Sequence, residues 1–323
     1  MDDPIPPRIE IFAPFGEAFE LTKKILFQPF DIAKWLVIGF AAWLATFFSG
    51  GGFNYRGFQN QDWKWSWRSH HAGMPFSWQN APAWVVPVGI VLLCLVLAFV
   101  ALILWLNARG RFMFADCIVR NRGAIVEPWR EYRVEGNRFF VLQLVISLCS
   151  LIVFGGLALL FFLNVTWHHA IAPLALLILF GVTLFLLALI VALIMKVIVP
   201  VMYRQRCDAL SAFRQVWRLI AERPGGFVLF GLFYIVLCVA AAMIGFIAAC
   251  ATCCIAAVPY VGTVILLPVV MFLYSYPLCF LRQFGDSYDV WAVVKAAELP
   301  PAPPNEPPSG PPMPPIQQPP LPA

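Results

Sequence analysis

Residues 208–250 read DALSAFRQVWRLIAERPGGFVLFGLFYIVLCVAAAMIGFIAAC, and this stretch decides the fold. Its first part predicts an amphipathic helix, because large apolar residues recur at helical spacing on one face; they are Leu210, Phe213, Val216, Trp217 and Ile220. Arg223-Pro224-Gly225-Gly226 breaks this helix, and the next 24 residues carry no charged side chain. Since a span needs about 20 apolar residues, the stretch predicts a surface helix, or elbow, that leads into a transmembrane helix.

The composition of the whole chain agrees with a membrane protein. Hydrophobic residues make up 61% and charged residues 12% of the chain, and the mean hydropathy is +0.79. A soluble globular domain is excluded by these values. Hydropathy and breaks predict an all-α, polytopic bundle of six spans, at 32–48, 84–106, 139–163, 174–199, 227–250 and 261–280.

The elbow at 208–222 has two looser counterparts, at 14–28 and 124–135. Each precedes a pair of predicted spans, so we predict three parallel repeats, each an elbow plus a helical hairpin. The alternative is that any cytoplasmic loop entering a membrane looks amphipathic. A short arm, 1–13, precedes the membrane domain at 14–284, and a Pro-rich tail follows at 285–323.

The distribution of basic residues predicts the orientation of the chain. Of the 22 Lys and Arg residues, 19 fall on one side of the predicted spans. Because basic loops resist translocation, we expect both termini in the cytoplasm and the protein in the inner (plasma) membrane. No signal peptide is predicted, because Met1 to Pro4 is acidic and no early apolar run follows. The net charge of +5 fits anionic headgroups and this orientation, with no need for nucleic acid as a partner.

Three segments carry a family resemblance: Arg109 to Asp116 (RGRFMFAD), Glu127 to Arg130 (EPWR) and Glu135 to Phe140 (EGNRFF). With them, the chain from Phe15 to Val290 resembles a group of uncharacterised bacterial six-span proteins. That group is similar to the membrane domain ahead of some glycerophosphodiester phosphodiesterases. The resemblance implies fold and location, and it implies no catalytic residues, because no counterpart of the phosphodiesterase barrel is present.

Uncharged polar residues mark two places inside the predicted spans. Gln143, Ser147 and Ser150 share a face of span three, and Tyr274, Ser275 and Tyr276 cluster in span six. They would line a path for a polar solute or, as the more common alternative, form interhelical hydrogen bonds. The spans contain no Asp or Glu, and Lys196 lies near a span end, which disfavours an ion-coupled transporter.

A metal site is a further hypothesis for the outer side of the membrane. All four histidines and three cysteines are predicted there, and imidazole and thiolate together bind Zn or Cu; they are His70, His71, His168, His169, Cys250, Cys253 and Cys254. Chance placement is the alternative, and the three cysteines also allow a disulfide or simple packing. No cofactor is expected.

Aromatic residues and the tail suggest contacts with lipid and with a partner. Trp129, Tyr132, Phe213 and Trp217 are predicted interfacial anchors in the elbows. The loop at 49–83 is rich in Trp, and alternation at 63–67 suggests a short strand or hairpin edge. From Pro300 onward 13 of 24 residues are Pro, which predicts an unfolded tail able to dock a cytoplasmic protein.

The sequence contains no Ser-His-Asp arrangement, phosphate-binding glycine loop or HExxH motif, which argues against an enzyme. The first hypothesis is therefore a structural or regulatory membrane component with cytoplasmic partner surface. The second is a carrier or facilitator for a lipid or small apolar solute, which a groove lined by Gln143, Ser147 and Tyr274 would favour. The third is an outward-facing metal-binding protein. The sequence does not define the oligomeric state.

Overall fold

The computed structural model describes residues 10–46, 84–167, 171–252, 259–292 and 294. All regular structure in these residues is helical. Their ten helices are α1 (Phe12–Phe27), α2 (Ile32–Thr46), α3 (Val85–Val119), α4 (Val126–Glu131), α5 (Arg133–Trp167), α6 (Ile171–Gln205), α7 (Ala209–Glu222), α8 (Pro224–Ala251), α9 (Pro259–Ile265) and α10 (Leu267–Arg282).

Four helices are long and apolar enough to cross a membrane. The candidate spans are Val86–Val119, Arg133–Leu160, Ile178–Gln205 and Pro224–Ala251. The apolar helices α2 and α10 have 15 and 16 residues, fewer than the about 20 that a straight span needs. The all-helical class expected from the sequence is therefore confirmed for the described residues, which include four candidate membrane-spanning helices.

Helix α3 extends well beyond the end expected from hydropathy. The apolar run ends near position 106, but the helix continues to Val119 and includes Arg109, Arg111 and Asp116. These three side chains are buried, with 7%, 6% and 0% exposure. Partners inside the protein compensate their polarity, so a segment that reads as a charged loop forms a helix. The charged residues of α3 thus lie beyond the expected span 84–106, in a continuation of the same helix.

The closest helix packing joins α2 to α3. Ile38, Ala41, Ala42 and Ala45 on α2 are buried, and these mostly small side chains let the helices approach. At Gly110 a Cβ atom would lie 2.8 Å from the carbonyl carbon of Leu44 and 2.9 Å from the amide nitrogen of Ala45. Only glycine fits this contact between backbones.

The buried core lies at one end of the bundle. We call this the basic end; it comprises the ends of α3, α5 and α6 that carry residues 109–138 and 204–208. The C-terminal halves of α3 and α6 pack there with α1, α2 and α10. The other halves of the long helices expose large apolar side chains, as a lipid-facing surface does; examples are Leu92, Leu95, Phe99, Ile152, Leu179 and Phe185.

The predicted elbow at 208–222 is the helix α7, which packs against α6. Its buried side is formed by smaller residues than the expected stripe; they are Ala209, Ala212, Val216 and Leu219. Leu210 and Trp217 are exposed on another side of the helix. The apolar surface of α7 is thus wide enough to contact protein on one side and the surroundings on the other.

Candidate functional site

A groove of about 590 Å³ runs between α5 and α6. Its lining spans Leu142 to Phe154 on one wall and Leu184 to Lys196 on the other, so each wall is about 18 Å long at 1.5 Å per residue. Val145 and Leu187 line it and are more than half exposed, so the groove opens along its side. Leu210 and Phe213 of α7 lie at the basic end of the groove. Its size and apolar lining are typical of sites for small apolar ligands.

The polar residues predicted in span three line this groove. Gln143, Ser147 and Ser150 all contribute to it. The Gln143 side chain is nearly buried, and its Nε2 donates to Asn107 Oδ1 at 3.5 Å. Asn107 Nδ2 in turn donates to the carbonyl oxygens of Leu44 and Ala45 at 3.0 and 2.8 Å. Gln143 therefore takes part in interhelical hydrogen bonds and also faces the groove.

The Oε1 atom of Gln143 is buried and has no hydrogen-bond partner among the described residues. An amide oxygen without a partner is costly in an apolar site. A ligand or water molecule in the groove that donates a hydrogen bond would remove this cost.

The three polar residues predicted in span six lie elsewhere on α10. Tyr274 lines a small cavity of about 10 Å³, enough for about one water molecule. Ser275 and Tyr276 are fully buried, and the Tyr276 ring stacks on Phe230 with 5.4 Å between centroids. The hydroxyl oxygens of all three have no hydrogen-bond partner in the described ranges. The structure thus brings Tyr274 near the groove and places Ser275 and Tyr276 in the core.

Two cationic side chains lie between the groove and the small cavity next to Tyr274. Arg111 and Lys196 line both spaces. The Lys196 Nζ lies 5.3 Å from the centroid of the Tyr274 ring, and the Arg111 guanidinium lies 5.3 Å from that of Phe139, within the range of cation–π attraction. Sequence reasoning placed Arg111 in a loop and Lys196 at a span end, so it did not identify them as a pair.

Charged residues at the basic end form a second feature, the Asp116 cluster. The fully buried Asp116 carboxylate pairs with Arg120 Nε at 3.1 Å and with Arg122 Nη2 at 3.2 Å. The Tyr203 hydroxyl of α6 donates to its Oδ1 at 3.0 Å. These contacts satisfy both carboxylate oxygens and tie the end of α3 to α6.

The Asp116 cluster continues through α4 to the start of α5. Arg120 also pairs with Glu131 at 2.9 Å, and Arg206 pairs with Glu131 and, at 3.4 Å, with Glu135. Arg122 pairs with Glu127 at 2.6 Å. Each arginine in this network has at least one carboxylate partner. We therefore interpret the cluster as a clamp that holds the helix ends together at the basic end.

The aromatic residues predicted as interfacial anchors differ in their surroundings. Tyr132 is buried and stacks on Tyr203 and Phe112, with ring centroids 4.7 and 6.1 Å apart, and burial raises the pKa of its hydroxyl. Tyr132 thus packs inside the protein rather than at its surface. The partly buried Trp129 stacks on the Arg109 guanidinium at 4.3 Å.

The anchors on α7 lie nearer to the surface. The rings of Phe213 and Trp217 stack with 6.5 Å between centroids. Phe213 lines the groove, whereas Trp217 is more than half exposed. The position of Trp217 is compatible with an anchor in the interface between water and lipid.

Most of the predicted metal ligands fall outside the described residues; these are His70, His71, His168, His169, Cys253 and Cys254. Cys250 is exposed near the end of α8. The described ranges contain no group of three His, Cys, Asp or Glu residues close enough to hold a metal ion. The strand expected at 63–67 and the Pro-rich tail from 300 also lie outside the described residues.

Four long apolar helices and an exposed apolar surface are the features of an α-helical membrane protein. The chain belongs to a family of unknown function (DUF7544), whose model matches residues 10–271. No curated protein and no solved structure matches the chain. These comparisons give no support to the similarity with the membrane domain of glycerophosphodiester phosphodiesterases.

Proposed function

We propose that this protein binds a lipid-like amphiphile in the groove between α5 and α6. The observation that carries the proposal is the groove itself, with a volume of about 590 Å³ and mostly apolar walls. The walls come from two helices of spanning length, so the acyl chain of a lipid would enter from the side. Gln143, Ser147 and Ser150 add polar groups to the otherwise apolar lining.

The groove changes the order of the hypotheses based on sequence. A structural or regulatory role ranked first there, and a lipid carrier ranked second, because a cavity between two apolar helices leaves no pattern in the sequence. Amphiphile binding is the step that a carrier and a lipid-regulated component share. We therefore propose binding, and the structural role with a cytoplasmic partner stays a prediction.

We also propose six spans with both termini in the cytoplasm. Helices α9 and α10 together extend from Pro259 to Arg282, which supports a sixth span broken near Leu266. Helix α2 would be a short span that packs along α3. The elbows α1, α4 and α7 each directly precede an apolar helix, which supports three units in one orientation.

The binding proposal is tested by purifying the full chain from its native membrane in a mild detergent and identifying bound lipids by mass spectrometry. Ala188 lines the groove, and Ala188→Phe adds a bulky ring to the wall. Ala158→Phe is the matched control, because Ala158 is exposed on α5 and outside the groove lining. We expect the wild type and Ala158→Phe to retain a stoichiometric amphiphile, and Ala188→Phe to lose most of it.

Two results would overturn the proposal. The first is a wild-type protein that retains no more of any amphiphile than expected from the bulk detergent-lipid mixture. The second is equal retention by Ala188→Phe and Ala158→Phe. Thermal unfolding of both variants shows whether a loss of lipid reflects a filled groove or a destabilised protein.

A further inference from the structure

Two cations lie at the same part of a groove whose lining is mostly apolar. Lys196 lines it from α6, and Arg111 lines it from α3, where its side chain is 6% exposed. Both also line the small cavity beside Tyr274, so they share one corner of the site. The groove therefore has a positively charged inner corner and long apolar walls.

The described lining of this corner supplies no carboxylate partner to Lys196. Among the described residues that line the groove and the small cavity, none is Asp or Glu. Lys196 forms no ion pair in the described part of the chain, and its Nζ lies over the Tyr274 ring, 5.3 Å from the centroid. Lys196 differs in this respect from the arginines of the Asp116 cluster, which all have carboxylate partners.

An anion at this corner would offset two costs. Like charges in a poorly solvated site repel each other, and each cation has lost part of its hydration. A phosphate or carboxylate placed between two cations gains charge-assisted hydrogen bonds from both. A neutral or cationic head group would leave these costs in place.

We infer that the amphiphile bound in the groove carries an anionic head group, held at Lys196 and Arg111. This inference rests on the proposed binding in the groove and specifies its ligand class. The apolar walls extend about 18 Å from Lys196 to Leu184, at 1.5 Å per residue. An acyl chain would cover the apolar walls along this length, whereas a free inorganic anion would leave them uncovered. The occupant is therefore an amphiphile and not an anion alone.

The experiment compares two lipids that differ only by a phosphate group. Oleoyl lysophosphatidate and mono-oleoylglycerol share the same acyl chain and glycerol, and glycerol 3-phosphate represents the charged head without the chain. Binding of each to the purified full chain is measured by equilibrium titration in a neutral detergent. We expect lysophosphatidate to bind about tenfold or more tightly than mono-oleoylglycerol, and glycerol 3-phosphate to bind much more weakly than either.

Substitutions of Lys196 test whether the preference arises at this corner. Lys196→Met removes the charge but keeps an unbranched apolar side chain, and Lys196→Arg keeps the charge. We expect Lys196→Met to reduce the preference for lysophosphatidate about tenfold, and the separate variant Lys196→Arg to retain most of the wild-type preference. The matched control is Lys24→Met, which removes a charge from an exposed site on α1 and should leave the preference unchanged.

The outcomes separate the inference from the binding proposal. If both lipids bind equally well to the wild type, the anionic class is wrong while binding in the groove stands. If Lys196→Met keeps the full preference, the head group is not held at this corner and the inference is overturned. If neither lipid binds, and Ala188→Phe changes nothing, the binding proposal itself fails. If glycerol 3-phosphate binds as tightly as lysophosphatidate, the site takes a free anion and the amphiphile is wrong. A loss of preference in Lys24→Met as well would assign the effect to net charge, which also overturns the inference.

Discussion

The contact between α2 and α3 at Gly110 gives the sharpest test of the packing. A Cβ atom at this position would lie 2.8 Å from two carbon atoms of Leu44, one in the backbone, and 2.9 Å from the Ala45 nitrogen. Carbon atoms pack best at about 3.5–4.0 Å. Gly110→Ala must therefore push α2 away by several tenths of an ångström, since backbone atoms have no rotamer to relieve the clash.

The size of the effect follows from two opposing terms. Overpacking of this kind costs about 1–3 kcal/mol, and the backbone contact places Gly110→Ala near the upper limit. Replacing glycine by alanine inside a helix stabilises the folded state by about 0.5–1 kcal/mol, because alanine loses less backbone entropy on folding. The net loss is about 2 kcal/mol, which shifts the unfolding equilibrium about 30-fold at 1.4 kcal/mol per factor of ten.

Reversible unfolding in mixed micelles with increasing dodecyl sulfate, followed by circular dichroism, measures this change. Gly156→Ala is the matched control, because a Cβ there meets no atom within 4 Å and the helix lies away from the core. We expect Gly156→Ala to stabilise by about 0.5–1 kcal/mol. If Gly110→Ala proves as stable as Gly156→Ala, the close approach of α2 and α3 is refuted.

The remaining predictions concern the basic end and the orientation of the chain. Asp116→Asn leaves two partly buried arginines without this carboxylate, and we expect a loss of about 3 kcal/mol in the same unfolding assay. Tyr203→Phe removes one hydrogen bond to the carboxylate and should cost less, about 2 kcal/mol; equal stability of Asp116→Asn and the wild type would contradict the clamp. In variants that retain a single cysteine, an impermeant maleimide applied to intact cells should label Cys250 and not Cys207, since they lie near opposite ends of α7–α8. After permeabilisation, labelling of Cys207 should speed up as the pH rises above 7, because burial raises the pKa of its thiol and lowers its thiolate fraction at neutral pH. Labelling of both cysteines in intact cells would refute the orientation.

The helices could be located from the sequence because lipid imposes a simple rule on it. Apolar runs of about 20 residues must be helical when no water satisfies the backbone, and this holds for α5, α6 and α8. The rule fails at the C-terminal part of α3, where charged residues mimic a loop. The partner that ties Asp116 to another long helix, Tyr203, lies far away in sequence, so no local pattern reveals that the segment is a buried helix.

The candidate site could be predicted only in part for a related reason. The polar face of Gln143, Ser147 and Ser150 follows from helical periodicity, and all three line the groove. Tyr274 was grouped with two residues that the structure buries in the core. Arg111 and Lys196 were missed, because 85 positions separate them and only the packing of α3 against α6 brings them to one corner.

The stretch 208–250 and its looser counterparts determined, by sequence alone, that the described residues are helical, that several helices are apolar enough to cross a membrane and that amphipathic helices precede apolar ones. These properties depend on the local order of apolar and charged residues along the chain, because that order decides which segments partition into a bilayer. The tertiary structure alone decided that α5 and α6 diverge enough to leave a groove and that two cations meet inside it. Such features depend on the distances between helices. Side-chain volumes at contacts such as Gly110 set these distances, and hydropathy carries no information about them.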